Sequence, residues 1–242
     1  MSLLAGLTTD ESIKESKDSV GGGFTAKPSG IYDATVKVAY ITVAASGAKA
    51  VNLIADINGA EYRETIYITN KKGQNFYVSE DGTKNYLPGF TTINDLALLT
   101  TGQPLANATT ENKVIKIWNK DQAKEVPTEV PCITALHGKP IKLGILEEIT
   151  FKQIKDGNGN YVDTAETRTS NVISKVFHAS TGKTVNEYKA KTETAEFIDK
   201  WKEKWDGKPN DKTAGKTPKG SASAPRTANT AAAPKAASSL FA

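Results

Sequence analysis

IYDATVKVAYITV (residues 31–43), VNLIADING (51–59) and EYRETIYIT (61–69) are three nearby segments in which apolar and polar residues alternate. Alternation with a period of two predicts half-buried β-strands. Asn58-Gly59 separates the second and third segments and predicts a tight hairpin, because both turn positions need a positive φ. In the first segment, alternate residues from Tyr32 to Tyr40 are expected on the core face and Lys37 on the other. Together the segments predict an antiparallel meander.

The rest of the chain predicts one helix and further strands. Ile93 to Thr101 reads as a short helix capped by Thr92 or Asn94 and stopped by Gly102 and Pro104. The strands that follow are predicted over 114–118, 141–154 and 172–178. This order predicts a mainly β fold, an OB-fold-like antiparallel barrel with a short helix after strand three. A β-sandwich would produce the same string of elements.

The C-terminal part divides into a helix and a tail. An amphipathic helix is predicted from about Thr194 to Asp206, and its Phe197, Trp201 and Trp205 are expected to dock on the core. From Gly207 onward the sequence is dominated by Lys, Pro, Ala, Ser, Thr and Gly, which predicts disorder. The predicted organisation is a flexible N-terminal arm (1–24), one globular domain (25–206) and a disordered basic tail (207–242).

Charge is unevenly distributed along the chain. The net charge is +4, but residues 207–242 contain six basic residues and one acidic residue, a net charge of +5. The remainder is therefore close to neutral, at −1. A basic tail on a near-neutral body indicates either an anionic partner or a tail that only increases solubility.

Several function classes are disfavoured. The two histidines, His137 and His178, are isolated, and no catalytic motif occurs, so we expect neither enzymatic activity nor a cofactor. The single cysteine, Cys132, excludes an intrachain disulfide and a multi-cysteine zinc site. Asp156-x-Asn-x-Asn begins like a calcium loop, but Tyr161 and Thr167 replace the required Gly and Glu, so no metal is expected. No apolar segment reaches the ~20 residues needed to span a bilayer, and we expect a cytoplasmic protein without membrane contact.

Residues 71–90 form the segment most informative about function. Basic and aromatic residues interleave there, namely Lys71, Lys72, Phe76, Tyr77, Lys84 and Tyr86. Single-stranded nucleic acid presents a charged backbone, which lysine neutralises, and unstacked bases, on which aromatic rings stack. The segment therefore predicts a site for single-stranded nucleic acid. For Tyr86, Leu87 and Phe90, an anchoring role against the core is an equally good interpretation.

The predicted strands add further candidates. An exposed sheet face would combine basic and aromatic side chains, namely Lys37, Arg63, Tyr67, Lys116 and Trp118. The alternative for each is an ordinary solvated side chain or, for Trp118 above all, a core residue.

Two segments of this region resemble phage-encoded single-stranded DNA-binding proteins. They are NKKGQNFYV (70–78) and DGTKNYLPGF (81–90), and the strand start Gly30-Ile-Tyr-Asp is similar too. The resemblance covers about residues 28–155. It implies an OB-type core that binds and protects single-stranded DNA without sequence preference, in phage DNA replication or recombination within the host cytoplasm. It also implies DNA contacts by Lys71, Lys72, Phe76, Tyr77, Lys84 and Tyr86.

The tail departs from the pattern of many single-strand binders, which end in an acidic segment tipped by phenylalanine. Here the stem is basic, although the chain closes with Leu240-Phe241-Ala242. The apolar tip could still recruit replication or recombination proteins, whereas the basic stem suits phosphate contacts better. Alternatives remain open: a structural β-sandwich protein of a phage with no nucleic-acid role, and, less favoured, an enzyme. The sequence does not decide whether the chain forms a homo-oligomer.

Overall fold

The computed structural model describes residues 25–119, 121–157 and 159–219. The expected flexible arm (1–24) and the tail beyond residue 219 lie outside this part of the chain. The predicted mainly β class is confirmed. The strands are β1 (Gly30–Val43), β2 (Lys49–Ile57), β3 (Ala60–Tyr67), β4 (Phe76–Val78), β5 (Lys84–Tyr86), β6 (Glu111–Asn119), β7 (Lys124–Cys132), β8 (Pro140–Lys155), β9 (Tyr161–His178) and β10 (Asn210–Asp211). The α-helices are α1 (Pro88–Thr101), α2 (Val185–Ala190) and α3 (Phe197–Trp205).

β1 is the central strand of the main sheet. One edge pairs with β2, which pairs with β3, so the predicted antiparallel meander is confirmed. Asn58 and Gly59 form the predicted turn, with φ values of 53° and 81°. The other edge of β1 pairs with β8 over 30–35 and with β7 at Tyr40. β9 lies beyond β8, and β6 lies beyond β7.

A β-bulge in β1 changes the predicted faces. The register with β2 shifts between Val36 and Val38, so Lys37 is the extra residue. An inserted residue reverses the alternation that follows it. Val36 and Ala39 therefore both face the main core, whereas Val38 and Tyr40 pack in a separate apolar cluster with Ile115 and Ile117. The expectation that Tyr32 through Tyr40 share one face is wrong beyond the bulge.

The main sheet does not close into the predicted barrel within the described residues. No backbone ladder joins β3 to β9, although residues of both strands contribute to the same core. The Glu64 carboxylate spans this seam, because its Oε2 accepts hydrogen bonds from the Ile173 backbone N–H (2.9 Å) and from the Tyr62 hydroxyl (2.6 Å). A side chain thus takes the place of a strand pair, and burial raises the pKa of Glu64.

Helix α1 begins earlier than predicted. It starts at Pro88, because proline is well suited to the first turn of a helix, and Leu87 is its N-cap. Neither predicted cap acts as one: Thr92 donates to the Pro88 carbonyl, and Asn94 accepts from the Leu105 N–H. Gly89 allows α1 to approach β3 closely, since a Cβ there would lie 2.2 Å from the Tyr67 carbonyl oxygen.

Strand β7 was missed by the sequence analysis because prolines at 127 and 131 argue against a central strand. It nevertheless pairs with β6 along its full length, and Cys132 at its end is buried and unpaired to any other cysteine. The result is a β6–β7 hairpin that packs one face on β1 and β2 through the cluster containing Tyr40 and Val130.

The predicted docking of the aromatic helix is confirmed for Trp201 and Trp205, whereas Phe197 is 43% exposed. Trp201 of α3 is buried beside Leu146 and Phe177, and its Nε1 donates to the Ser174 hydroxyl at 3.1 Å. The helix begins at Phe197 rather than at Thr194. Its first N–H groups are capped by Glu187, whose Oε1 accepts from the backbone of residues 196 and 197 at 2.8 Å each.

The predicted start of the disordered tail, residue 207, lies too early in the sequence, because ordered residues follow it. Asn210 and Asp211 form β10, which pairs in parallel with Glu148 and Ile149 of β8. We call residues 207–219 the strap. Its apolar content is low, but backbone hydrogen bonds to β8 and β9 hold it against the domain. No helix in the described part of the chain has the length and apolar character needed to cross a membrane.

Candidate nucleic-acid interface

Lys71 and Lys72 lie in a tight turn over residues 70–74, which we call the basic turn. The Asn70 side chain organises it, because its Oδ1 accepts from the backbone N–H groups of Lys72 (2.9 Å) and Gln74 (3.0 Å). Such local acceptance by asparagine favours a turn over a strand. Both lysines are exposed on the turn.

Residues 76–86 form a β-hairpin that we call the aromatic hairpin. Phe76 pairs directly with Tyr86, Tyr77 with Asn85 and Val78 with Lys84. Because opposite residues of an antiparallel ladder share a face, Phe76, Val78, Lys84 and Tyr86 lie together. Tyr77 lies on the other face with Asn85. The structure therefore separates two neighbouring residues that the sequence had grouped.

The shared face of the aromatic hairpin combines rings with a cation. The Lys84 Nζ lies 5.2 Å from the centroid of the Phe76 ring. The Tyr86 ring is 64% exposed, and its centroid lies 5.0 Å from that of the nearly buried Phe90 on α1. Phe90 thus anchors the hairpin and Tyr86 presents its ring to solvent. Of the three residues with two interpretations, Phe90 and Leu87 pack on the core, and Tyr86 is exposed.

Few acidic groups surround the lysines of the basic turn and the aromatic hairpin. Among the residues described, no carboxylate lies within 4.0 Å of the amino groups of Lys71, Lys72 or Lys84. Two acids, Glu80 and Asp81, lie in the turn at the hairpin tip. The hydrogen bond from the Thr83 backbone holds the pKa of Asp81 below its usual range, so this carboxylate stays ionised.

Lys37 and Arg63 lie in a different electrostatic setting. Lys37 Nζ is 3.5 Å from both Asp56 and Glu61. Arg63 contacts Glu61 at 2.8 Å and Glu125 at 3.3 Å, and the hydrogen bond that Arg63 donates to Glu61 raises the pKa of the guanidinium. Exposed ion pairs contribute little to stability, but they offset the attraction of each cation for a phosphate. The structure brings these two predicted residues together, among three acids.

Trp118 and Lys116 lie on the outward side of the β6–β7 hairpin, opposite the half-buried Ile115 and Ile117, as predicted. Trp118 is 56% exposed, so the interpretation of it as a core residue is wrong. Its partner across the ladder is Glu125, the residue that also contacts Arg63. Tyr67 is exposed at the end of β3, just before the basic turn. Of the eleven predicted residues, six lie in the basic turn or the aromatic hairpin. The other five, which we call the sheet group, lie on β1, β3 and β6, where Lys37 and Arg63 are paired with acids.

The distal part of the β8–β9 hairpin was missed as a candidate surface. Tyr161 is exposed, and Lys155 Nζ lies 5.5 Å from its ring centroid. The available sequence signal was the Asp156–Asn160 turn itself, because a turn of this kind joins two adjacent strands and would have extended β9 back to Tyr161. The turn itself is confirmed, with the Asn160 N–H donating to Asp156 Oδ1 at 2.8 Å.

Within residues 25–119, 121–157 and 159–219, no group of three or more His, Cys, Asp or Glu side chains is arranged to hold a metal ion. Comparison of the chain with known protein families, with curated proteins and with solved structures finds no match.

Proposed function

We propose that this protein binds and protects single-stranded DNA without sequence preference, in the setting of phage DNA replication or recombination. The observation that carries the proposal is the aromatic hairpin, where the exposed Tyr86 and Lys84 share one face with the half-buried Phe76, and the basic turn with its two lysines directly precedes the hairpin in the chain. Rings stack on bases of any identity, and lysines follow the backbone. The phage setting rests on the resemblance of residues 70–78 and 81–90.

The strand order supports the proposal, and we propose that the core is an OB fold with an open seam. A three-stranded meander is followed by a helix, and then by β8 paired with β1 and β9 paired with β8. In this reading the β6–β7 hairpin is an insertion, and the Glu64 bridge replaces the pairing of β3 with β9. OB folds bind oligonucleotides on one sheet face and its loops.

A fluorescence titration of labelled oligo-dT against a matched duplex tests the function directly. We expect tight, salt-sensitive binding to the single strand and weak binding to the duplex. Absence of single-strand binding at low salt would contradict the proposal. Light scattering on the same sample would then show whether the protein instead forms large assemblies, as a structural phage protein would.

The charge environments predict different roles for the lysines. Log affinity falls as log salt rises, and replacing Lys71 and Lys72 by glutamine should make this negative slope shallower by about 1.4. Each lost phosphate contact on a single strand removes roughly 0.7 from its magnitude. Lys37→Gln should leave the slope unchanged, since Lys37 is already paired with Asp56 and Glu61. A shallower slope for Lys37→Gln would instead place the sheet group on the DNA.

A further inference from the structure

A cavity of about 510 Å³ opens between the strap and the β8–β9 hairpin. Its walls include Phe151 of β8, and from the strap Lys212, Gly215, Lys216, Thr217 and Lys219. Asp163 of β9 is the acidic residue among the lining side chains. The cavity is separate from the aromatic hairpin in sequence and in the elements that form it.

The strap is fixed at both ends of this cavity. At one end the Lys212 backbone N–H donates to the Ile149 carbonyl at 3.0 Å. At the other end, the Lys219 N–H donates to Asp163 Oδ2 (3.0 Å), and the Asp163 N–H donates to the Lys219 carbonyl (2.9 Å). Between them the chain reverses at Gly215, whose φ of 69° favours glycine. The lysines are therefore carried by a held loop.

The lysines that line the cavity differ in whether they form an ion pair. Lys212 Nζ is paired with Glu148 Oε1 at 2.6 Å. Lys216 and Lys219 form no ion pair within 4.0 Å among the described residues, although Lys216 is attracted at longer range by Asp211 and Lys219 by Asp163. Both oxygens of Asp163 already accept hydrogen bonds, Oδ1 from Gln153 Nε2 and Oδ2 from the Lys219 N–H. Residues 207–219 as a whole contain four lysines and one acid, a net charge of +3.

This arrangement suits a phosphate ester. Two amino groups without a close carboxylate and the Thr217 hydroxyl supply charged and neutral donors to anionic oxygens. The Phe151 ring adds an apolar wall, which could receive a base or sugar. The volume admits more than a single small ion.

We propose that the strap and the β8–β9 hairpin form a second anion site, which binds the phosphate groups of a phosphate ester. Lys216 and Lys219 carry the charge recognition, Thr217 donates a hydrogen bond and Phe151 contacts the organic part. The source of the phosphates is either the backbone of a DNA strand or a free organic polyphosphate, whose phosphate chain tripolyphosphate reproduces without the organic part. The site does not depend on the role of the aromatic hairpin.

Isothermal titration of the full chain with sodium tripolyphosphate at low salt tests this site. We expect binding that weakens at least about tenfold in Lys216→Gln/Lys219→Gln, because both charges that face the anion are lost. Lys200→Gln/Lys202→Gln removes the same charge from the exposed side of α3 and should bind as the wild type does. The Lys219 backbone bonds to Asp163 remain in the variant, so a thermal melt should be unchanged.

Two results would overturn the proposal: no heat of binding in the wild-type chain, or an equal loss in both variants. Competition identifies the source of the phosphates. Displacement of tripolyphosphate by oligo-dT assigns the site to a DNA strand, and persistence of tripolyphosphate alongside bound oligo-dT assigns it to a free polyphosphate. Failure of the single-strand titration with retained tripolyphosphate binding would reject the proposed function and keep this site.

Discussion

Phe76→Ala combined with Tyr86→Ala is expected to weaken binding of oligo-dT by at least about 30-fold. Stacking of a base on an aromatic ring contributes roughly 1–3 kcal/mol, so loss of two rings costs about 2–6 kcal/mol. Each 1.4 kcal/mol is about a factor of ten in affinity. The measurement is the fluorescence titration at a fixed salt concentration, since ionic contacts change strongly with salt.

The matched control is Tyr188→Ala combined with Phe197→Ala. These two exposed rings are of the same types but lie on α2 and α3. They should leave the affinity unchanged. Tyr77→Ala tests the division of the hairpin into two faces. A smaller loss of affinity is expected, because Tyr77 lies on the other face of the hairpin from Phe76 and Tyr86. An unaltered affinity in the Phe76/Tyr86 double variant would remove the aromatic hairpin from the site.

Glu64→Ala is expected to destabilise the protein by about 2–6 kcal/mol. The variant leaves the Ile173 N–H and the Tyr62 hydroxyl without their acceptor, at a cost of roughly 1–3 kcal/mol for each group left unsatisfied when buried. The variant also removes the hydrogen bond by which a side chain of β3 holds the backbone of β9. Urea denaturation at neutral pH measures the loss. A change below about 0.5 kcal/mol would show that the seam does not depend on Glu64.

Glu64→Gln separates the hydrogen bonds from the charge, because the amide oxygen can still accept from Ile173. Burial raises the pKa of Glu64 in the folded state, with Glu148 adding repulsion. A raised folded-state pKa means that the stabilising proton is fully bound below the unfolded pKa and is lost as pH rises through the folded value. Wild-type stability should therefore fall relative to Glu64→Gln as pH rises from about 4.3, the ordinary pKa of glutamate, toward neutral. A constant difference across that range would contradict the raised pKa.

The local features of the sequence were sufficient for the meander, for the core of β6 and β8 and for several turns. Alternation and Asn58-Gly59 predicted the meander, because side-chain direction along a strand and positive φ are properties of a few adjacent residues. The spacing of Phe197, Trp201 and Trp205 predicted a buried helix face in the same way, and Trp201 is buried. The composition of residues 71–90 predicted which residue types would be presented together.

The tertiary structure decided the faces, the seam and the end of the domain. The bulge at Lys37 reversed the faces of β1, because register depends on the partner strand as well as on alternation. Pairing of Phe76 with Tyr86 set Tyr77 apart, although Tyr77 is the neighbour in sequence. The strap has little apolar surface to bury, yet Glu148, Ile149 and Asp163 hold it through hydrogen bonds from distant strands. Sequence patterns report local conformation, whereas these contacts exist only once residues far apart in the chain have been brought together.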